Sequence, residues 1–131
     1  MEPEAIIRKN VFSSPGYDEH SFAGVLHEAG IWQEEQYWLL ESALYTLAFE
    51  ETIAIELYAQ VFQIFNFAMN AICSHLDQDD LYEIKNLDRD KIYDFRERIR
   101  MVFEGFFVGQ MPDQKTCFDE INPLLTKKDA N

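Results

Sequence analysis

A chain of 131 residues, 47% apolar and carrying 11 Phe, 6 Tyr and 2 Trp, has enough large side chains for one core that buries roughly two thirds of its unfolded surface. Disorder of the whole chain is excluded. Its 24 Asp+Glu against 11 Lys+Arg leave a formal net charge of −13, which repels phosphate backbones and anionic lipid surfaces and suits either plain solubility or a basic partner.

Between Ile31 and Glu104 there is no Gly, no Pro and no Asn-Gly or Asp-Gly hairpin dipeptide. The expected fold class is therefore all-α: a single domain over 1–131, a compact helical bundle with three long helices at about 34–49, 52–75 and 89–107 and several short ones. In chain order, Pro3 suits a first helical position, so a short helix is expected over Pro3–Lys9. The stretch 17–30 stays open, since Phe22, Val25 and Leu26 fit a short helix while His20-Ser21-Phe22 fits extended chain.

The helix over 34–49 places Tyr37, Leu40, Leu44 and Leu47 on one side and Glu34 and Glu35 in its first turn, where carboxylates complement the helix dipole. In 52–75 the polar positions Glu56, Gln60, Gln63, Asn66, Asn70 and Ser74 form one narrow stripe, with Leu57, Tyr58, Val61, Phe62, Ile64, Phe65, Phe67, Met69 and Ile72 expected to be covered. A short helix is expected over 77–84. The helix over 89–107 buries Ile92, Phe95, Ile99, Val102, Phe103 and Phe106 and exposes Arg96, Glu97, Arg98 and Arg100. A last short helix over 113–121 stops before Pro123, and a loose tail follows at 127–131.

Cys73 and Cys117 are expected as buried free thiols, because Cys73 sits in a strongly apolar helical pattern. Met1-Glu2-Pro3-Glu4 lacks the basic and apolar regions of a signal peptide, and no apolar run reaches about 18 residues, so the expected location is cytoplasmic.

The motifs of common chemistries are missing. Three residues before His20, His27 and His75 stand Tyr17, Gly24 and Ile72, which breaks the Glu-x-x-His pattern of carboxylate-bridged di-metal bundles. His27-Glu28 is not followed by a second zinc-binding histidine. The acidic run Asp77-Gln78-Asp79-Asp80-Leu81-Tyr82-Glu83 resembles a calcium loop only loosely, with no glycine at the sixth position and Asp88 at the twelfth. Gly-rich phosphate cradles and nucleophile elbows are absent. The reading is of a chain with no catalytic, metal or cofactor site.

Two groups of residues stand out as contact candidates. Trp32, Tyr37 and Trp38 lie beside Glu34, Glu35 and Glu41, a mixture of aromatic anchors and charge typical of protein interfaces, although a tryptophan there also serves to staple neighbouring helices. Asp77, Asp79, Asp80 and Glu83 make the second group. His20 and His27 share one face if 17–30 is helical, beside Glu19 and Glu28, an arrangement open to acid–base work.

The segment Tyr17-Asp18-Glu19-His20-Ser21-Phe22-Ala23-Gly24-Val25-Leu26-His27-Glu28, followed by Glu35-Gln36-Tyr37-Trp38 and the helix of Leu40, resembles the small acidic, all-helical immunity proteins of bacterial polymorphic-toxin and contact-dependent growth-inhibition systems. It covers about a third of the chain. The resemblance implies a non-enzymatic cytoplasmic antidote that blocks the basic active site of a cognate toxin C-terminal domain such as a nuclease, with no direct contact to nucleic acid or membrane; the oligomeric state stays open, with a monomer favoured. The resemblance transfers a role and no contact residues; the two groups above supply the candidates, Trp32, Glu34, Glu35, Tyr37, Trp38, Glu41, Asp77, Asp79, Asp80 and Glu83. Two other readings remain: a helical regulator or adaptor acting through protein–protein binding, and a small helical enzyme or ligand carrier using His20 and His27.

Overall fold

The computed structural model of the chain describes residues 2–125. Among these residues there are six helices, α1 (Pro3–Lys9), α2 (Phe22–Ala29), α3 (Glu34–Leu47), α4 (Ile55–Leu76), α5 (Arg89–Val108) and α6 (Gln114–Cys117). A helical turn at 123–125 closes the described chain. The all-α class is as expected; the tail at 127–131 lies outside the described residues.

Local chemistry sets most boundaries. In α1, Pro3 opens the helix with Glu4 in its first turn, and Arg8 and Lys9 end it, each charge opposing the dipole end beside it. Ser21 settles the open stretch 17–30: its hydroxyl accepts the Gly24 N–H at 3.1 Å, so α2 starts at Phe22 and the residues before it stay outside the helix. Gly30 ends α2 with φ +67°. A Cβ at Gly30 would lie 2.6 Å from the Glu83 carbonyl oxygen, so only glycine lets the 77–88 loop approach this closely. Asp88 caps α5 by accepting from the Lys91 N–H.

Several elements differ from expectation. The helix over 34–49 ends two residues early, where Phe49 and Glu50 N–H groups bond to Thr46 and Leu47 carbonyls and tighten the last turn. The helix over 52–75 begins at Ile55, after Ala54 in an extended conformation. No helix forms over 77–84, because the Asp77 and Asp80 side chains accept the N–H groups of Asp79 and Tyr82, both at 2.9 Å; such local bonds compete with the helical ladder. Over 113–121 one turn forms, and Phe118 leaves it extended.

Packing runs α1 on α3 and α4, α2 on α3 and α4, α3 on α5, and α4 on α5. Leu40, Leu44 and Leu47 of α3, Val61, Ile64 and Ile72 of α4, and Ile92, Ile99, Val102, Phe103 and Phe106 of α5 form the centre. At one end Trp32 stacks against Phe22 at 4.8 Å and Phe95 at 4.7 Å, contacts each worth about 0.5–1.5 kcal/mol beyond the area they bury.

Burial corrects three expectations. Cys73 and Cys117 are free but exposed, Cys73 because it continues the outer row of Asn66 and Asn70 on α4. Phe62 is 55% exposed and widens that outer face instead of entering the core. Arg98 was expected on the solvent side of α5 and is buried, since it lies three residues after Phe95 and four before Val102 on the core-facing row. No helix among the described residues is long and apolar enough to cross a membrane.

Candidate functional site

The interface candidates divide sharply by burial. Trp32, Tyr37, Trp38 and Glu41 are buried, so they present nothing to a partner, and the expectation of exposed anchors around Trp32 is corrected. The two tryptophans staple helices: Trp32 fills the space between Phe22, Tyr37 and Phe95, and Trp38 lies under the Arg98 guanidinium at 4.6 Å.

Glu41 has no exposed surface and accepts five hydrogen bonds. Oε1 takes the Tyr37 hydroxyl at 3.0 Å and Arg98 Nε at 2.7 Å. Oε2 takes Arg98 Nη2 at 3.0 Å, Gln114 Nε2 at 3.1 Å and Asn122 Nδ2 at 3.0 Å. Gln114 Oε1 accepts in turn from Arg98 Nη2 at 2.8 Å and the Asn122 N–H at 2.9 Å, and Asn122 Nδ2 also reaches the Trp38 carbonyl at 3.0 Å. A buried charge pair is tolerable only when its remaining lone pairs and protons are matched in this way. Burial by itself would lower the Arg98 pKa, but the hydrogen bonds and charge of Glu41 outweigh it and hold the guanidinium above its ordinary value. Burial first, then the Glu41 charge, pushes the Tyr37 hydroxyl well up.

The remaining candidates are at the surface, on two segments at one end of the bundle. Asp77, Asp79, Asp80, Glu83 and Glu35 are exposed and Glu34 is half-buried, with one Glu34 carboxylate oxygen turned inward. Residues 34–35 and 77–83 are far apart in sequence, yet the 77–88 loop is fastened to the turn that starts α3. Asn86 accepts the Trp32 N–H and donates to the Trp32 carbonyl, both at 2.8 Å, and the Lys85 N–H donates to the Gly30 carbonyl at 2.8 Å. The Tyr82 hydroxyl donates to the Leu26 carbonyl at 3.0 Å and the Ile84 N–H to His75 Nδ1 at 2.9 Å. The starts of α3 and α5 and the end of α4 therefore share one end of the bundle. The α5 cap Asp88 and the first-turn Asp90 add carboxylates there, beside the exposed cations Lys85, Arg89 and Lys91. At the tip of the loop Leu81 is fully exposed, an apolar side chain within the acidic run, and the Asp77 and Asp80 carboxylates are held by the loop's own N–H groups.

Sequence reasoning missed Leu81 and Asn86. Leu81 was visible as the lone aliphatic residue inside the acidic run, whereas no pattern marks Asn86 as the clasp.

His20 and His27 each lie beside a neighbouring carboxylate but in different surroundings. His20 is exposed, its imidazole 3.6 Å from Glu19, while the His27 ring stacks on Phe12 at 5.1 Å and Phe67 at 6.1 Å. Neither lines either of two surface clefts, one of about 330 Å³ beside α5 and one of about 320 Å³ between α1 and the start of α4. Among the described residues no three His, Cys, Asp or Glu side chains are placed to hold a metal ion. No family model, curated protein or solved structure matches the chain.

Two outcomes test the interior, one at Glu41 and one at Tyr45, a half-buried residue of α3 whose hydroxyl donates to the Pro112 carbonyl at 2.6 Å. Glu41→Ala is expected to cost about 3–5 kcal/mol in urea unfolding, because Arg98 is left buried without its counter-charge, and Glu41→Gln less; a loss under about 1 kcal/mol for Glu41→Ala would contradict the structure. Burial pushes the Tyr45 hydroxyl up to about 12 from its ordinary value of 10.0, so folded Tyr45 keeps a proton that the unfolded chain gives up. Its contribution is complete below pH 10 and is lost as pH rises toward 12. Tyrosinate absorbance during an alkaline titration should accordingly show a delayed step that coincides with loss of helical circular dichroism.

Proposed function

We propose that this chain is a non-catalytic binding protein that docks a basic protein partner on its acidic end, and that an immunity protein blocking a cognate toxin domain is its concrete form. The carrying observation is the exposed acidic loop of Asp77, Asp79, Asp80 and Glu83, with Leu81 exposed among them, clasped by Asn86 to the turn that precedes Glu34 and Glu35. A basic enzyme cleft that holds phosphates is electrostatically suited to such a surface, and the carboxylates would steer encounter before Leu81 seats. Because the loop is already ordered, little entropy is lost on docking.

The test first reads the neighbouring gene for a secreted protein that ends in a toxin domain, and mixes that domain with this chain in stopped flow at rising salt. Association is expected to slow with salt, and Asp77→Asn/Asp79→Asn/Asp80→Asn to slow it roughly tenfold at low salt with thermal unfolding unchanged. Equal association rates for the triple variant and the parent would remove this end from the interface.

A second reading, an adaptor that self-associates, is favoured by α4. From Leu57 to Ser74 it carries no Asp, Glu, Lys or Arg, and Ile55, Ala59, Phe62 and Cys73 lie exposed along it. If that face joins copies, light scattering should give a dimer mass that Phe62→Asp returns to the monomer; a monomer mass for the parent at high concentration ends this reading.

A further inference from the structure

The cleft beside α5 lies between that helix and the chain that follows α6, its lining starting at Lys91, about one turn from the Asp88 cap, and running on to Met101, nearly four turns from it. Its apolar wall includes Met101 and Phe118, both half-buried. Two cations line it, but both are already engaged. Lys91 is 3.6 Å from Glu120. Arg98 donates to Glu41, Gln114 and the Glu120 carbonyl, and its guanidinium is flanked by the Trp38 and Phe118 rings at 4.6 and 4.2 Å. Glu97 is paired with Arg100. That leaves Asp94 and Asp119, exposed in the cleft and without an ion pair among the described residues.

We propose that this cleft is a socket for one basic side chain, an arginine or lysine presented by a protein partner. The aliphatic stem would lie along Met101 and Phe118, and the cationic head would meet Asp94 and Asp119. Unpaired carboxylates over an apolar wall select a group that is charged at its tip and apolar along its length. An anion is disfavoured because four carboxylates, Asp94, Glu97, Asp119 and Glu120, line the cleft against two cations, Lys91 and Arg98. The proposal rests on the reading that the partner is basic and adds a defined insertion point beside α5.

The test titrates the isotope-labelled full chain with acetyl-arginine methylamide and follows backbone amide shifts, with the uncharged citrulline analogue as control. Saturable shifts confined to 91–101 and 117–120, at least about threefold weaker binding in Asp94→Asn/Asp119→Asn, and no saturation with citrulline are expected. Equal shifts with citrulline, or arginine shifts as strong at 77–83 as in the cleft, would overturn the socket. Thermal unfolding of the double variant should match the parent, since both residues are exposed. Asp77→Asn/Asp79→Asn/Asp80→Asn should bind the arginine probe as the parent does. A socket that binds the probe while the triple variant leaves partner association untouched would therefore retire the acidic-end reading and keep the socket, and the reverse pattern would do the opposite.

Discussion

The contact on which the bundle turns is the charge pair between Glu41 of α3 and Arg98 of α5, sealed from water and matched at each carboxylate lone pair by Tyr37, Gln114 and Asn122. Its net contribution to stability is modest, because removing two charges from water costs about as much as their attraction returns. Its contribution to uniqueness is larger. Any other register of α3 against α5, or any other path for the chain after α6, would leave a buried charge or amide without a partner, and each such orphan costs about 1–3 kcal/mol or more. The short α6 and the extended Phe118 follow from this: Gln114 and Asn122 must both reach Glu41 while Phe118 covers the guanidinium.

That interior arrangement has consequences at the surface. Since Arg98 is satisfied from below, the cleft above it takes its character from the carboxylates at the rim. The aromatic node of Trp32, Phe22, Tyr37 and Phe95 fixes the turn before α3, and Asn86 hangs the acidic loop from the backbone of that same Trp32. A residue read from the sequence as a partner-facing anchor thus acts indirectly, by placing the loop that carries Asp77 to Glu83. The exposed face of α4 is chemically separate, an uncharged strip on a chain that is acidic elsewhere.

The long helices were legible because the absence of Gly and Pro and the 3.6-residue spacing of apolar groups act locally, along one element at a time. Their edges were less so. Ile55 rather than Thr52 begins α4, and the Asp77 and Asp80 side chains divert 77–84 into turns, since capping competes with helix formation one hydrogen bond at a time. The histidine pair is divided for a related reason: Ser21 starts α2 just after His20, and the two rings end in different surroundings.

Composition and periodicity by themselves determined the all-α class, the three long helices, the acidic surface and the exposure of Asp77, Asp79, Asp80 and Glu83, because each depends on the residue and its near neighbours. Only the tertiary structure decided that Trp32, Tyr37, Trp38, Glu41 and Arg98 are interior and that residues 34–35 and 77–83 meet at one end. Charged residues are exposed by default, and that default yields only where distant segments together supply every missing hydrogen bond, as Gln114 and Asn122 do for Glu41. No window of neighbouring residues contains that information.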